Sequence, residues 1–261
     1  PYIERDAYDL GQYIPMSLGP VREFEGQVYS LPYNLEPFVV FYNVDLFEEA
    51  GVEPSPTDWD ELRLISRKLT KTDASGQVTQ RGFEFTDTED YFWGFAVNNG
   101  SDLWLEPYDH RAKESKVCSK ETVDALQYLV NWIDDGSAMY TTAEETFPLG
   151  QAAMRYLQSS QGHDYQPAYY PDLKFSAFAL PPRRQGQKHY LAGHAADAIM
   201  VLDGGRHKDL AWELAKFYGS KESVALVWGN ARGTPYGKYG MLLPFNDVLT
   251  NTNIAEYEPW H

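Results

Sequence analysis

The chain has 261 residues, a length that suits either one large domain or two smaller lobes. Its 22 Lys and Arg residues stand against 38 Asp and Glu residues, and the resulting formal charge of -16 disfavours nucleic acid and anionic membrane surfaces as partners. No stretch approaches the roughly 18 apolar residues of a transmembrane helix, so we expect membrane contact only through a lipid anchor outside this chain.

The cysteine and aromatic content narrows the chemistry further. The single cysteine, Cys118, excludes an internal disulfide and leaves a thiolate metal site without a second ligand. The 7 Trp and 19 Tyr residues have flat apolar faces with polar edges, which suit a sugar but equally serve protein cores. Composition therefore permits a carbohydrate ligand without selecting it.

The first half of the chain alternates strand-like and helical segments. A β-rich run at residues 38–42 precedes a short helix, in which Asp45 and Glu48 have capping-box spacing and Gly51 is a stop signal. After a proline-containing turn, Thr57 is expected to start a second helix. The apolar face of that helix comprises Trp59, Leu62, Ile65 and Leu69.

The middle of the chain continues this alternation. Residues 70–82 are polar and contain glycine, which predicts a hairpin or loop, and residues 83–104 predict a short strand, a loop and an aromatic-rich helix. Ser119 is a candidate N-cap for a helix that runs to Asp135 and ends at Gly136. The predicted buried face of this helix comprises Val123, Leu126, Val130 and Ile133.

The last part of the chain predicts strands and then helices. Residues 175–202 alternate strand-like stretches around a Pro-Pro turn, and residues from 208 onward predict two helices interrupted at Gly219. The apolar residues of the first of these helices are Leu210, Trp212, Leu214 and Phe217. No internal repeat or low-complexity tract is present.

Three ordered blocks carry a resemblance to a known family: residues 29–33 (YSLPY), 42–51 (YNVDLFEEAG) and 57–62 (TDWDEL). Together they resemble the extracellular solute-binding proteins of ABC importers, in particular the carbohydrate-type, maltose-binding-like branch. Val44 replaces the lysine usual in that branch, and residues 150–154 (GQAAM) resemble a further block. A single block would be unspecific, whereas the ordered set is specific.

The resemblance implies an α/β, two-lobed periplasmic-binding-protein-like fold with a ligand cleft between the lobes. Lobe 1 would comprise residues 1–35 and 180–234, and lobe 2 residues 36–179 and 235–261. Members of the family begin with a βαβ unit and end with further helices that this sequence does not contain. We therefore expect lobe 1 to be incomplete, and the isolated chain to be unstable, oligomeric or unable to close on a ligand.

The function implied by the resemblance is capture of a mono- or oligosaccharide and its delivery to a membrane permease of an ABC importer. The expected location is the periplasmic or extracellular face of a bacterial or archaeal membrane, and no cofactor and no metal is implied. Members that prefer maltodextrins carry a tryptophan near the position of Ser160, so the serine argues against that substrate.

The resemblance also assigns twelve ligand-binding positions. They are Tyr33, Glu36, Glu89, Tyr91, Trp93, Asn98, Tyr156, Gln158, Gly193, His194, Asp197 and Arg232.

Chemistry gives these positions plausible roles, each with a structural alternative. A carboxylate such as Glu36 accepts charge-assisted hydrogen bonds from sugar hydroxyls, but a solvated loop glutamate is the alternative. Trp93 suits stacking on a sugar or packing in a core, and His194 suits ligand contact or a structural hydrogen bond. We expect Glu36 and Tyr91 to lie on cleft loops, so that their substitution by alanine weakens binding and spares the fold.

Other functions are open alternatives. The acidic clusters Asp58/Asp60/Glu61 and Asp87/Glu89/Asp90 contain enough carboxylates for a glycosidase, but the first belongs to a helical first turn, and no catalytic motif accompanies either. We therefore expect no enzyme activity. Adjacent tyrosines, Tyr169 and Tyr170, invite comparison with ferric-ion binders of the same superfamily, although a surface role suits them better. An interaction protein on a truncated binding-protein fold is the third alternative.

Overall fold

The computed structural model describes residues 1–18, 27–34, 36–86, 89–101, 117–143, 145–165, 169–188, 190, 193–194, 198–220 and 222–223. The helices are α1 (Tyr2–Arg5), α2 (Pro15–Leu18), α3 (Val44–Ala50), α4 (Trp59–Leu69), α5 (Glu89–Asn98), α6 (Lys120–Asp134) and α7 (Lys208–Tyr218). The strands are β1 (Ser30–Pro32), β2 (Glu36–Asn43), β3 (Lys71–Thr72), β4 (Val78–Gln80), β5 (Phe83–Phe85), β6 (Ala138–Tyr140), β7 (Met154–Gln158), β8 (Phe175–Ala179), β9 (Gly193–His194) and β10 (Ala198–Met200). Short 3-10 helices span Leu10–Gln12 and Ser159–Tyr165.

A six-stranded mixed sheet forms the centre of the larger part of the molecule. Its strand order is β6-β5-β7-β2-β8, and β9 pairs with the beginning of β2. β5 runs parallel to β6 and β7, whereas β2 is antiparallel to β7, β8 and β9. With helices packed on this sheet, the fold is α/β, as the resemblance implies.

Helices α4, α5 and α6 pack together on one face of the sheet through large aromatic side chains. The ring centroids of Trp59 and Phe95 lie 5.1 Å apart, and Phe85 of β5 lies 5.7 Å from Phe95 and 5.3 Å from Trp132. The indole N–H of Trp132 donates to the Ser66 hydroxyl at 3.1 Å. Because its polar edge has a partner inside the core, the buried indole avoids the cost of an unmet hydrogen bond.

The N-terminus of α3 differs from the sequence prediction. Asn43 is the N-cap, and its Oδ1 accepts a hydrogen bond from the N–H of Leu46 at 3.1 Å. Asp45 lies inside the first turn, so it complements the helix dipole and does not cap the helix. Gly51 ends the helix with a left-handed φ of 63°, as predicted.

α4 begins at Trp59, two residues after the expected start. Asp58 is its N-cap and accepts from the N–H of Glu61 at 2.9 Å, while the carboxylate of Glu61 accepts from the N–H of Thr57 at 2.7 Å. The motif is thus a capping box shifted by one residue relative to its usual pairing. The predicted hairpin at residues 70–82 is confirmed by the β3–β4 pair, and the aromatic-rich helix by α5.

The buried face of α6 was predicted one residue out of register. Leu126 is 52% exposed, and its predicted partners on the face are exposed as well, whereas Leu129 is 9% exposed. The residues that α6 buries are Thr122, Ala125, Leu129 and Trp132. This set has the same 3-4-3 spacing as the predicted set, so periodicity alone does not distinguish the two faces. The bulk of Trp132 and a hydrogen bond of 2.5 Å between the hydroxyls of Thr122 and Ser101 select the observed one.

A second, smaller core lies around the antiparallel pair β1–β10 and α7. Leu31 of β1 packs with Trp212 and Ala215 of α7, and the hydroxyl of Tyr13 donates to the carbonyl oxygen of Gly219 at 2.5 Å. On α7, the side chain of Leu210 is exposed. The predicted lobe bounds, 1–35 with 180–234 and 36–179 with 235–261, stay a prediction.

A charged pair is buried inside the large sheet. Glu84 of β5 and Arg155 of β7 are register partners, and Glu84 Oε1 lies 3.1 Å from Arg155 Nε. The hydroxyl of Thr146 donates to the other carboxylate oxygen of Glu84. Burial raises the pKa of Glu84 to about 7, and the charge of Arg155 and the hydrogen bond from Thr146 offset this only in part.

The corrected register of α6 leads to a paired stability prediction. Leu129→Ala removes a buried side chain and is expected to lower the free energy of unfolding by ~2–4 kcal/mol, whereas Leu126→Ala should cost less than ~1 kcal/mol. Urea denaturation followed by circular dichroism measures both variants. Equal losses, or a larger loss for Leu126→Ala, would contradict the observed register.

The raised pKa of Glu84 predicts a pH dependence of stability. Because the folded state holds the Glu84 proton up to about pH 7 while the unfolded chain releases it near 4.5, the free energy of unfolding should fall as pH rises between these values. Glu84→Gln mimics the neutral carboxyl and does not titrate, so it should flatten this slope. Urea titrations at several pH values measure the slope, and an unchanged slope in the variant would refute the assignment.

Candidate functional site

The beginning of β2 is the place where three separate segments of the predicted site meet. Glu36 is the register partner of His194, and Pro37 that of Gly193. One residue further along β2, Phe38 is the register partner of Gln158, the last residue of β7. The two antiparallel pairings therefore bring positions 36, 158, 193 and 194 to one junction of the sheet.

Aromatic rings form one side of this junction. The ring centroid of Phe38 lies 4.8 Å from that of Tyr91 and 5.9 Å from that of Tyr156, and the two tyrosine rings lie 6.0 Å apart. Tyr91 is buried and lies in α5, so the expectation that it occupies a loop is wrong. The reason is that Glu89 and Tyr91 lie in the first turn of the helix, whose rings pack on β2 and β7.

Tyr156 is almost completely buried at this junction. It is 1% exposed, and burial raises the pKa of its phenol far above the ordinary range, so the hydroxyl is neutral. Its hydroxyl has no hydrogen-bond partner within the described ranges. A buried hydroxyl without a partner costs free energy unless another group satisfies it, which makes it an available donor at the junction.

Gln161 is a polar residue near the junction that the sequence analysis missed. It lies in the 3-10 helix that directly follows β7, and the hydroxyl of Tyr91 is 3.5 Å from its Oε1, the limit of a hydrogen bond. The sequence feature that could have identified Gln161 is a polar side chain shortly after the end of a central strand. Gln158, the predicted residue on the same stretch, is half-buried.

The remaining predicted positions with described side chains lie away from the junction or have other contacts. The ring of Tyr33 packs edge-on against that of Tyr218 at 6.3 Å, and half-buried Trp93 packs against Phe92 at 5.2 Å. Asn98, at the other end of α5, is buried and hydrogen-bonded to the backbone of Tyr190. Their assignment to a ligand stays a prediction.

Several predicted positions lie partly or wholly outside the described part of the chain. Asp197 and Arg232 are outside it, and so are the side chains of Glu36, Glu89 and His194. The backbone places Glu36 in β2, Glu89 at the start of α5 and His194 in β9. Glu36 is thus a strand residue, in contrast to the loop position that we expected.

An apolar groove of about 250 Å³ lies beside Tyr91. It runs between α5 and α6 and reaches the carboxyl ends of the parallel strands β5 and β6. Its walls are Phe85, Thr86, Tyr91, Phe92, Phe95, Leu126, Leu129, Val130, Ile133 and Tyr140. The exposed stripe of α6 therefore forms part of one wall of this groove.

The tyrosine pair considered for ferric ion lies elsewhere. Tyr169 is 69% exposed, and both tyrosines line a shallow surface cavity of about 320 Å³ together with Asn43 and Asp172. In the described ranges no cluster of three or more His, Cys, Asp or Glu side chains is arranged to hold a metal ion. Nor do those ranges contain a helix with the length and apolar character needed to cross a membrane.

The sequence has recognisable relatives. The family model for bacterial extracellular solute-binding proteins matches residues 2–225. A putative binding protein of Brucella abortus (strain 2308) is 22% identical over 254 residues, which cover 95% of this chain and 59% of that relative. The chain thus spans less than two thirds of the length of that curated relative.

Solved structures share the fold. An ABC substrate-binding protein from Listeria monocytogenes in complex with cycloalternan has a TM-score of 0.71 and 23% identity, over 98% of this chain and 62% of that chain. UgpB from Mycobacterium tuberculosis in complex with glycerophosphocholine has a TM-score of 0.70 and 17% identity, over 98% of this chain and 61% of that chain. Structural likeness at these identities supports the fold, and the family-model match over most of the sequence supports membership. This chain therefore belongs to the family of bacterial extracellular solute-binding proteins.

Proposed function

We propose that this protein captures a carbohydrate and delivers it to the permease of an ABC importer at the periplasmic or extracellular face of the membrane. The observation that carries the proposal is the junction at the beginning of β2. Aromatic rings at positions 38, 91 and 156 meet there with the polar ends of β7 and β9. Apolar rings beside hydrogen-bonding groups are the combination that a sugar site requires, and these three buried rings would form its floor.

The proposed ligand site lies between two lobes, 1–35 with 180–234 and 36–179 with 235–261. In this arrangement β2 and β9 belong to the connections between lobes, so a ligand at the junction would touch both. The ligand would make more contacts in the closed form than in the open form, so binding would favour closure without any chemical change in the sugar. The relatives that match the chain are named as binding proteins, which supports a non-enzymatic role.

A phosphorylated glycerol derivative is the second candidate, because UgpB from Mycobacterium tuberculosis was solved with glycerophosphocholine. The sequence at the start of α5 favours a neutral ligand. Its first two residues, Glu89 and Asp90, are acidic, and acidic residues disfavour a phosphate at a helix N-terminus. Arg155, the cation closest in sequence to Tyr156 and Gln158, is buried against Glu84. Ferric ion is the third candidate, and Tyr169 and Tyr170 would be its ligands.

A ligand panel tests the proposed function. Isothermal titration calorimetry with mono- and oligosaccharides, maltose among them, and with glycerophosphocholine and ferric citrate should show binding to at least one neutral sugar. Chromatography of the mixtures should recover that sugar unchanged. If only glycerophosphocholine binds, the ligand is a phosphorylated glycerol derivative and not a sugar. Tight ferric binding with a charge-transfer band would favour a ferric site at Tyr169 and Tyr170. Turnover of a sugar would refute the proposal that the protein binds sugar without changing it.

Substitutions of Tyr91 test whether the aromatic side of the junction contacts the ligand. Tyr91→Phe keeps the ring contacts, so it should change the free energy of unfolding by less than ~1 kcal/mol while weakening the best sugar of the panel about 5-fold through loss of one hydrogen bond. Tyr91→Ala should lower the free energy of unfolding by ~3 kcal/mol, because it removes a buried ring. Calorimetry and urea denaturation measure the two effects separately.

A matched control accompanies this pair of variants. Tyr165→Phe makes the same change in another buried tyrosine, whose ring packs against Phe41, Phe147 and Phe175. The affinity for the sugar should stay unchanged in this control. If Tyr91→Phe binds the sugar as tightly as the wild type, Tyr91 is a core residue only.

A further inference from the structure

The side-chain amide of Asn98 holds one residue of a distant segment by both of its backbone groups. Its Oδ1 accepts the N–H of Tyr190 at 3.0 Å, and its Nδ2 donates to the carbonyl oxygen of Tyr190 at 2.8 Å. The same Nδ2 donates to the carbonyl oxygen of Gly94 at 2.9 Å. The N–H of Tyr190 requires an acceptor and its carbonyl requires a donor, so these contacts determine which way the amide faces.

This pattern is the one by which an adjacent β-strand holds its neighbour. A residue that exchanges both an N–H and a C=O hydrogen bond with a partner is fixed in register along the chain direction. Here the partner is a side chain that is itself 1% exposed and lies at the last residue of α5. Since both amide hydrogens are used and the group is buried, a ligand bound to the Asn98 amide would have to replace one of these hydrogen bonds.

We infer that Asn98 is a positioning residue: it anchors the backbone at Tyr190 and thereby sets where Gly193–His194 pairs with Glu36–Pro37. The part of this inference that concerns ligand binding rests on the proposed function, because the junction at the beginning of β2 is the proposed ligand site. The part that concerns the backbone rests on the contacts of Asn98 and on the β2–β9 register alone.

The distance along the chain makes the anchor effective. Gly193 follows Tyr190 by three residues, which span at most about 11 Å when fully extended. Anchoring Tyr190 therefore confines Gly193 to within that distance of the anchor. A shift of one residue in the β2–β9 pairing would exchange the faces on which the side chains of β9 lie.

The stretch that precedes Tyr190 is tied to the same group of helices. The indole N–H of Trp59 donates to the carbonyl oxygen of Pro181 at 2.9 Å, and the guanidinium of Arg183 lies 4.5 Å from the ring centroid of Tyr128. Gln187 donates from Nε2 to the backbone carbonyl oxygen of Asn98 at 3.3 Å. Contacts with α4, α5 and α6 thus hold the described residues between Pro181 and Tyr190, and the Asn98 amide makes the described contact nearest to β9 along the chain.

Site-resolved amide hydrogen exchange on the ligand-free protein tests the backbone role. In the wild type, the N–H of Tyr190 lies outside any strand, yet it should exchange at least about 100-fold more slowly than an unprotected amide. Asn98→Ala should abolish that protection. It should also speed exchange at the amides of His194 and Glu36 by a factor at least about 10 times larger than the factor at the β5 and β7 amides. The last comparison separates a local positioning role from general destabilisation.

The neighbouring asparagine provides a matched control. Asn99 donates from Nδ2 to the carbonyl oxygen of Glu121 at 2.6 Å, so it makes a comparable bond to a different segment. Asn99→Ala should leave exchange at Tyr190 and His194 as in the wild type. Equal acceleration at these amides in both variants, or equal acceleration across all strands in Asn98→Ala, would overturn the inference.

Two further outcomes complete the test. If Asn98→Ala does not fold, the exchange rate of the Tyr190 amide in the wild type is the test. Slow exchange supports the inference that Asn98 anchors Tyr190, and exchange at the unprotected rate overturns it. The affinity of Asn98→Ala for the best sugar of the panel should fall about 10-fold, with no change in Asn99→Ala. An unchanged affinity together with faster exchange at His194 would overturn the link to binding.

Absence of any sugar binding in the wild type would refute the proposed function and leave the exchange result intact.

Discussion

The hydrogen-bonded register of β2 is the constraint on which the arrangement of this molecule depends. Its eight residues pair with β9 at the start and with β7 and β8 over the rest of their length. Because the side chains of a strand alternate between the two faces, these ladders decide together which rings enter the core. Phe38 therefore faces Tyr91 and Tyr156, while Phe41 faces Tyr165 and Phe175.

The proposed ligand site uses side chains that also pack the core. Tyr91 joins α5 to β2 and β7 through ring contacts, and it also borders the apolar groove. Buried polar groups add a second constraint, because each needs a partner inside the protein. Asn98 meets this need by holding the backbone of Tyr190, and one carboxylate oxygen of Glu84 meets it by accepting from the hydroxyl of Thr146.

Local sequence signals predicted the elements near their observed positions. The capping residue Ser119 and the terminators Gly51 and Gly136 act within a few residues, so their effects are readable without the rest of the chain. The register of α6 was not readable, because two apolar stripes with the same spacing lie one residue apart. Only contacts with Ser66 and Ser101, which are distant in sequence, choose between them.

The amino-acid sequence by itself determined the family, the α/β class and the order of the elements, because ordered motifs, caps and periodicity are local properties of the chain. It also pointed to positions 36, 158, 193 and 194, which the strand pairings then brought together. The tertiary structure alone decided which of the candidate residues face the core and which hold the backbone, as Tyr91 and Asn98 illustrate. Burial and hydrogen-bond partners are set by segments far apart in sequence, and a side chain's role follows from those partners.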